Sequence, residues 1–330
     1  MKKIFTIMLM LLLLTACGSD EPEVQQDELP NVCFAKEGGL YINGIEGTVV
    51  GDLTRIYSLD VADGKLCVYG KNSYNNCVIW CNDNSQVLNI PSDINVNEKS
   101  PFMDNGNAYF LTWPRSSDFY VIMGFPNGKT FQLPKVASAA FECFAVHGDE
   151  YFACANVAVP VHMVDIQNGA YVWVNGRVIQ LCDNLSARVW AINGLHGHYY
   201  AIGPYNIELN EYGNEVWSHM GYWRDGQLQE LDKKDADRAS PYFIHMHGDT
   251  PIVYGHLQYE ALVMRACVWI DGKYMDLSQG HNSDVYGVRS YGNDWYAFVR
   301  DKDSNQFVLW RNGKLLESYN ISDVVDFTVY

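Results

Sequence analysis

The chain has 330 residues, of which 48% are apolar and 19% charged, so it can bury a core and is not a disordered chain. Its 23 basic residues face 39 acidic ones, and this net charge of −16 argues against a protein that binds nucleic-acid phosphates through a basic face. The 27 glycines, 22 tyrosines and 9 tryptophans favour turns and strands over helices.

The N-terminus has the pattern of a bacterial lipoprotein signal. Two lysines precede an almost wholly apolar run over residues 4–14, which is too short to span a bilayer but suits the core of a signal peptide. The run ends in the segment L-T-A-C, which resembles a lipobox cut before its cysteine, Cys17. The resemblance implies a signal peptide at residues 1–16 and membrane anchoring through lipid on Cys17. A secretory signal followed by an incidental cysteine is the alternative.

Residues 17–30 follow as an acidic segment with two prolines, which is typical of a flexible tether. The start of this segment, Gly18-Ser19-Asp20-Glu21, resembles the acidic export signal of Bacteroidetes lipoproteins that reach the cell surface. We therefore expect an outer-membrane lipoprotein, with the cell surface favoured over the periplasmic leaflet. No later segment is long and apolar enough to span a membrane, and residues 31–330 are expected to form one domain.

A five-residue pattern, W-x-[ND]-G-[KRQ], recurs along this domain at steps of 41 to 50 residues. Its copies begin at Trp173, Trp223, Trp269 and Trp310, with Phe125 starting a fifth copy, Trp80 a degraded sixth and Ala35 a faint seventh. Asn-Gly or Asp-Gly between apolar runs predicts a two-residue type I′ hairpin, which needs positive φ at both central residues. Each tryptophan should then face a residue across its hairpin, as Trp173 faces Val178.

A second turn signal precedes each of the six later copies, so each unit comprises two hairpins, or four short strands. These turns are Asp63-Gly64, Asn105-Gly106, Gly148-Asp149, Gly197-His198, Gly248-Asp249 and Gly292-Asn293. Four-stranded units at a period of about 45 residues are the signature of a β-propeller. The sequence therefore predicts an all-β propeller of seven four-stranded blades, with six blades as the alternative.

The two ends of the domain are expected to share the seventh blade and close the ring. Residues 31–47 would supply its two outer strands, and residues 322–330 its inner strand. Closure of this kind leaves no exposed sheet edge between the first and last units. The closing blade would then lack its second strand.

This arrangement resembles the repeat lipoproteins of Bacteroidetes that carry W-x-N-G units and are described as propeller-like. The resemblance covers nearly all of the domain, and because the motif is structural it carries no catalytic residue over. The tryptophan column is interpreted as packing between blades rather than as a sugar-stacking surface. The sequence contains no G-x-S-x-G, H-E-x-x-H or G-x-G-x-x-G motif, and no cofactor is expected.

Four aromatic residues outside the column are candidates for ligand binding. Trp113 ends a second strand, Trp217 begins a third strand, and Tyr205 and Tyr212 lie in one of the longest connections. All four are expected on the face of the disc opposite the tight turns, where loops on a rigid scaffold commonly bind ligands. Ordinary packing within the loops is the alternative.

Two patterns raise a metal hypothesis, and neither is favoured. His147, His196 and His247 precede the tight turn in three successive units, but solvated turn positions explain them. The segment Asp301-Lys302-Asp303-Ser304-Asn305 begins like a calcium loop. Gln306 stands where that loop requires glycine, so a polar connection between strands is predicted and no metal is expected.

Eight of the nine cysteines follow the lipidation site, and disulfides are permitted in the envelope. Cys143 and Cys154 fall opposite each other across the Gly148-Asp149 turn and are the candidate disulfide. Their positions make them a hydrogen-bonded pair, the wider kind, so a bridge would be strained and free thiols are favoured. Cys67 and Cys77 are expected to face each other in the same way across another hairpin.

Together these features predict a lipid-anchored envelope protein that binds a glycan or an envelope protein without catalysis. One alternative is a carbohydrate-active enzyme, a glycosidase or lyase, with its site at the propeller axis. Another is a structural subunit of an envelope assembly. Ionisable residues around the axis would favour the enzyme, and exposed aromatic residues on the loop face would favour binding. No nucleic-acid partner is expected.

Overall fold

A computed structural model of the chain describes residues 30–36, 39–47, 50–81, 84–90, 101–112, 119–136, 139–157, 169–182, 187–209, 211–212, 215–216, 219–260 and 262–330. All regular secondary structure in these segments is β, and none of their elements is a helix capable of crossing a membrane. The signal peptide, Cys17 and the tether lie outside the described residues. Residues 31–330 form one compact unit.

Thirty strands follow one another along the chain. They are β1 (Val32–Lys36), β2 (Gly39–Ile42), β3 (Ile45–Glu46), β4 (Leu53–Ala62), β5 (Lys65–Asn72), β6 (Cys77–Cys81), β7 (Asn84–Val87), β8 (Phe102–Asp104), β9 (Asn107–Thr112), β10 (Phe119–Phe125), β11 (Thr130–Pro134), β12 (Ala139–His147), β13 (Glu150–Val157), β14 (Gly169–Val174), β15 (Arg177–Cys182), β16 (Ala191–Leu195), β17 (His198–Tyr205), β18 (Glu208–Leu209), β19 (Glu215–Val216), β20 (His219–Arg224), β21 (Gln227–Glu230), β22 (Arg238–His247), β23 (Thr250–Tyr259), β24 (Val263–Ile270), β25 (Lys273–Asp276), β26 (Ser283–Tyr291), β27 (Asp294–Asp301), β28 (Gln306–Arg311), β29 (Lys314–Tyr319) and β30 (Val324–Val329).

Seven antiparallel sheets of four strands each form the blades of a ring. From the inner to the outer strand, blades one to seven are β4-β5-β6-β7, β8-β9-β10-β11, β12-β13-β14-β15, β16-β17-β20-β21, β22-β23-β24-β25, β26-β27-β28-β29 and β30-β1-β2-β3. The inner strand of each blade contacts the inner strand of the next, and β30 contacts β4. The fold is therefore a seven-bladed β-propeller, and the prediction of seven blades is confirmed. The small hairpin β18–β19 is an addition to blade four.

The closing blade is more complete than its sequence suggested. β30 pairs with β1, so the N-terminal segment supplies three strands rather than two, and the predicted gap at the second strand is wrong. The repeat copy assigned to Ala35 is also wrong, because Ala35 lies in the second strand. The tight turn of this blade is Asn43-Gly44, with φ of 50° and 77°. Tyr41 takes the tryptophan position here and lacks the indole that marks five of the other copies.

The repeat motif is a hydrogen-bonded turn. Asn175 and Gly176 have φ of 49° and 83°, as a type I′ turn requires. The side-chain Oδ1 of Asn175 also accepts a hydrogen bond of 2.8 Å from Tyr151 N on the second strand. The same bond occurs from Val32 N to Asn43, from Tyr199 N to Asp225 and from Trp295 N to Asn312. Asn and Asp suit this position for two reasons. They tolerate positive φ, and their side-chain oxygen ties the outer hairpin to the second strand of the blade.

Two predicted turns differ in detail. In blade two, Met123 pairs with Thr130, so the Phe125 copy forms a wider loop than a two-residue turn. Phe125 pairs inward with Ala108 instead of facing the outer strand. In blade four, the inner turn is His196-Gly197 rather than Gly197-His198, because Leu195 pairs with His198. His196 adopts a φ of 53°, which is uncommon for residues other than glycine, so the sequence pattern did not mark it as a turn residue.

The tryptophan column packs between blades, as predicted. Trp173 is fully buried and packs in one cluster with Tyr109, Ile122 and Leu133 of blade two. Its indole Nε1 donates a hydrogen bond of 2.9 Å to the Pro134 carbonyl of that blade. The remaining four tryptophans of the column, Trp80, Trp223, Trp269 and Trp310, are buried or half-buried. The Trp173 copy of the motif therefore fixes both a hairpin and an interface between blades.

A β-bulge recurs in the inner strands, six residues before the tight turn. The bulged residues are Tyr57, Glu142, Tyr242 and Tyr286. The second strand accommodates the bulge with glycine in blades one and five. A Cβ on Gly255 would lie only 2.2 Å from the Ser240 carbonyl oxygen, and one on Gly70 would lie 2.0 Å from that of Arg55. The bulge redirects one side chain in each of these four blades toward the loop side.

The cysteine predictions are only partly right. Cys143 and Cys154 lie opposite each other and are free thiols, as the favoured interpretation expected. The Sγ atom of Cys143 points at the Ile192 carbonyl of the next blade, 3.8 Å away. The disulfide instead joins Cys67 to Cys81, whose Cα atoms are 4.4 Å apart, the spacing of a close antiparallel pair. Cys67 therefore does not face Cys77, because the register of β5 and β6 is four residues away from that expectation.

Candidate functional site

Polar side chains on the inner strands link every blade to the next around the axis. Asp326 of blade seven accepts hydrogen bonds of 2.9 Å from Ser58 Oγ and Leu59 N of blade one. Asp326 also forms an ion pair of 2.5 Å with Arg289 of blade six. The other five links join Asp60 to Gly106, Asp104 to Gly148, His147 to Asn193, Asn193 to the Ile244 carbonyl, and His245 to Ser290. We call this closed circuit the axial ring.

Burial sets the charge states within the axial ring. Burial and then the positive charge of Arg289 lower the pKa of His245 to about 3, so this imidazole is neutral at physiological pH. Its Nε2 and the Nδ1 of His247 lie 2.8 and 2.9 Å from the same hydroxyl, Ser290 Oγ. Burial also opposes the charge of Arg289, but the carboxylate of Asp326 keeps its pKa above the ordinary value. Burial raises the pKa of the Asp60 carboxyl.

A recess of about 500 Å³ lies inside the axial ring. Its lining comes from blades one to six, mostly from the inner strands, with Tyr254 added from the second strand of blade five. The polar lining includes Asp60, Asp104, His147 and Arg289. The recess has the size and mixed lining of a small-molecule site. The sequence did not indicate it, because residues more than 40 positions apart in the chain meet there only through the blade register.

The histidine column does not form a metal site in the described segments. His147 Nε2 lies 2.7 Å from Asn193 Oδ1, and the exposed His196 pairs with Asp249 at 2.8 Å. His247 is engaged with Ser290. Each histidine thus has its own polar partner in a neighbouring blade, and only His196 is a solvated turn residue as the sequence interpretation expected.

The loop after β27 is the polar connection that the sequence predicted. Within the described segments, His281, Asp301 and Asp303 alone bring three potential metal-ligand atoms within 4.8 Å of one another. Asp301 is already engaged, since its oxygens accept hydrogen bonds from the backbone N–H of Asp303 and from Ser304 Oγ, and it pairs with His281. These bonds account for the cluster as a folded turn.

Two of the four predicted ligand-binding aromatics can be placed. Tyr212 lies in the connection between the second and third strands of blade four, and its side chain is 78% exposed. Tyr205 ends the second strand of that blade, is half-buried, and has its ring 5.3 Å from that of His219. Trp113 and Trp217 lie outside the described residues. Tyr205 and Tyr212 therefore lie on the loop side, and their role in ligand binding stays a prediction.

The loop side carries further exposed aromatics that the sequence analysis did not select. Among the described residues, six aromatic side chains are exposed. Five of them lie on the loop side: Tyr74, Phe119, Tyr212, Tyr242 and Tyr286. The sixth, Tyr291, ends an inner strand at a tight turn. Tyr242 and Tyr286 occupy the bulge positions. The available signal was the recurrence of tyrosine six residues before the inner turn.

A hydrogen-bonded network fixes one of these tyrosines in place. The Tyr242 hydroxyl donates to Asp284 Oδ2 at 2.8 Å and lies 2.7 Å from His256 Nδ1. The same His256 nitrogen lies 3.2 Å from Asp284 Oδ1, and His256 is buried. Burial and the charge of Asp284 raise the pKa of Tyr242. These hydrogen bonds hold the Tyr242 side chain in place, and the residue is still 42% exposed. A fixed and exposed aromatic residue is suited to binding a ligand.

Comparisons with known proteins identify the fold and leave the family open. No known protein family and no curated protein matches the sequence. The structure is similar to the crystal structure of the tricorn protease, with a TM-score of 0.56 and 10% identity over 87% of this chain and 33% of that one. It is also similar to the β-propeller domain of the Trilobed protease from Pyrococcus furiosus, with a TM-score of 0.49 and 15% identity over 86% of this chain and 90% of that one.

The chain thus spans about a third of the tricorn protease chain that it resembles. A third similar structure, the acylaminoacyl peptidase of Pyrococcus horikoshii, has a TM-score of 0.49 and 13% identity over 86% of this chain and 48% of that one. At such identities the likeness concerns the propeller fold. A shared fold does not by itself determine a function, so the likeness leaves binding and catalytic roles open.

Proposed function

We propose that this protein is a lipid-anchored propeller of the bacterial envelope, related to the W-x-N-G lipoproteins, that binds a glycan or an envelope protein on its loop side without catalysis. The observation that carries the proposal is the unequal distribution of exposed aromatics. Tyr74, Phe119, Tyr212, Tyr242 and Tyr286 are on the loop side, and Tyr291 alone among the described residues is on the turn side. Exposed aromatic rings offer apolar contact area that binding surfaces use.

The acid–base chemistry that an enzyme would need is poorly served at the axis. Four ionisable groups there are engaged between blades: Asp326 bonds with Ser58, Leu59 and Arg289, and His245 and His247 share Ser290. A catalytic carboxylate or imidazole must be able to exchange a proton with its substrate. The axial ring therefore supports a structural role for these groups and favours binding over catalysis.

The binding proposal is tested with a soluble form that begins at Asn31 and contains every strand of the ring. We expect it to be retained on a defined subset of an envelope-glycan array, with mass spectrometry finding each glycan unchanged. Released product would overturn the non-catalytic proposal and favour the glycosidase or lyase. If no glycan is retained, envelope proteins cross-linked to this form become the test. In that case, cross-linking must be weaker for Tyr212→Ala than for Tyr291→Ala.

The anchor is tested separately in cells. The full chain should incorporate an alkyne-tagged palmitate, and Cys17→Ala should abolish incorporation, because the thiol is the acylation site that the lipobox implies. Surface exposure predicts that added protease degrades the protein on intact cells. Incorporation that survives Cys17→Ala would contradict the anchor, and protection until the outer membrane is opened would place the protein on the periplasmic leaflet.

A further inference from the structure

The recess inside the axial ring has features of a ligand site that the loop-side proposal does not use. It measures about 500 Å³ and is lined by residues of six blades. A void of this size lined only by apolar groups could stay empty, but charged groups line this one. The chemistry of the lining therefore indicates what would occupy it.

The recess carries negative charge without a matching cation. Asp60 and Asp104 both line it, and Asp60 forms no ion pair with any described residue. The nearest basic group to Asp104 is His147, whose Nδ1 is 3.9 Å from Asp104 Oδ1. Arg289 also lines the recess; it forms an ion pair with Asp326, and its charge also acts on Asp60. One guanidinium thus faces the three carboxylates of Asp60, Asp104 and Asp326, and a bound cation would offset the excess negative charge.

One oxygen of each carboxylate is fixed by the backbone of the next blade. Asp60 Oδ2 accepts from Gly106 N at 2.7 Å, and Asp104 Oδ2 accepts from Gly148 N at 3.1 Å. These bonds orient both carboxylates without neutralising them, since a backbone N–H carries no net charge. Orientation before the ligand arrives lowers the entropy cost of binding.

A second, independent feature is the phenol of Tyr254. Tyr254 lines the recess, and its hydroxyl has no hydrogen-bond partner among the described residues. Burial raises the pKa of this phenol to about 12, so it stays protonated and can both donate and accept. Because the side chain is only half-buried, this hydroxyl is available to a ligand or a water within the recess.

The rest of the lining is suited to an organic cation. The rings of Phe102 and Phe243 line the recess together with Met103 and Met246. Aromatic faces attract ammonium groups, and the apolar side chains would accept the carbon skeleton. We propose that the axial recess binds a small aliphatic amine, with its ammonium group on Asp60 and Asp104 and its skeleton against Phe102 and Phe243.

The test is calorimetric titration of the full chain with putrescine, cadaverine and choline, with 1,4-butanediol as the uncharged counterpart of putrescine. We expect at least one of the two diamines to bind saturably and the diol not to bind. Asp60→Asn keeps an acceptor for Gly106 N but removes the charge, and it should weaken binding at least tenfold, or about 1.4 kcal/mol. Asp63→Asn is the matched control, since it makes the same change at the exposed tight turn of the same hairpin and should leave the affinity unchanged.

Binding of the diol as tightly as of putrescine would overturn the proposal, because the site would then recognise polar groups without regard to charge. Equal losses in Asp60→Asn and Asp63→Asn would overturn it too, as would the absence of saturable binding for both diamines. If Asp60→Asn does not fold, Asp104→Asn and Tyr254→Phe serve instead, and both should weaken binding. The loop-side proposal is independent, because glycan retention by Asp60→Asn should equal that of the unchanged chain.

Discussion

The carboxylate of Asp326 accepts a hydrogen bond from Ser58 Oγ at 2.9 Å, joining residues 268 positions apart in the sequence. This bond lies where the last blade meets the first. The same carboxylate pairs with Arg289 on its other side. One side chain therefore ties the closing blade to both of its neighbours, and it does so in addition to the β30–β1 ladder within the blade.

Replacement of Asp326 by Ala should lower the free energy of unfolding by about 3–5 kcal/mol, because it leaves the guanidinium of Arg289 without its partner. The double substitution Arg289→Met with Asp326→Leu should lose less, since no unpaired charge remains. Urea unfolding followed by fluorescence measures both values. A single-variant loss below about 0.5 kcal/mol, the scale of a surface substitution, would contradict the role given to this pair.

Gly255→Ala should destabilise the propeller by about 1–3 kcal/mol or more, because its Cβ would stand 2.2 Å from the Ser240 carbonyl oxygen of the bulge. Gly39→Ala is the matched control, since no atom lies within 4 Å of the added carbon. Thermal unfolding of the two variants gives the comparison. Equal melting temperatures would mean that the bulge and the glycine are not coupled.

Asn43→Ala should cost about 1–2 kcal/mol, since it removes both a residue tolerant of positive φ and the acceptor for Val32 N. Asn43→Gly retains the conformation and loses only the hydrogen bond, so its loss should be smaller. The order of the two losses in urea unfolding is the measurement. An Asn43→Gly variant that is less stable than Asn43→Ala would contradict this explanation of the motif.

Acid should destabilise the fold partly through His245. Its pKa is about 3 in the folded state against an ordinary 6.5, so below about pH 6.5 the unfolded chain binds a proton that the folded chain does not. Stability is therefore lost as the pH falls from about 6.5 toward about 3. His245→Gln cannot take up this proton and should show a shallower slope of unfolding free energy against pH. The raised pKa of Asp60 has the opposite effect on the pH dependence of stability, but it contributes equally in both proteins. Parallel slopes of unfolding free energy against pH in the two proteins would therefore contradict the role of His245.

Peptide mapping without reduction should recover Cys67 linked to Cys81, while Cys154 should be alkylated only after unfolding. The close cross-strand spacing explains the first result, and burial of the Cys154 thiol explains the second. A linked peptide containing Cys143 and Cys154 would reverse the assignment.

The sequence predicted the blades well because the motif and the turn are local. Asn175-Gly176 sets its hairpin through backbone conformations that few residue types adopt, and Trp173 marks the buried face. It predicted the closing blade less well, because Tyr41 replaces tryptophan there. Asn43-Gly44 is the better signal for that turn.

The candidate sites were less predictable. The recess depends on which inner-strand side chains meet across blades, and Asp60 and Asp104 come together only once the ring is formed. Tyr242 becomes exposed because a bulge adds one residue to its strand, which simple alternation does not anticipate. The register of β6 likewise decided that Cys67 meets Cys81. In each case a shift of one or a few residues determines the chemistry.

The most direct test of the binding proposal compares array retention of two variants that carry the same change on opposite faces. Tyr212 and Tyr291 are both exposed, at 78% and 44%, on the loop side and the turn side respectively. Loop-side binding predicts that Tyr212→Ala loses most of the glycan signal of the soluble form while Tyr291→Ala retains it. Equal retention by the two variants, or a loss confined to Tyr291→Ala, would contradict the central claim.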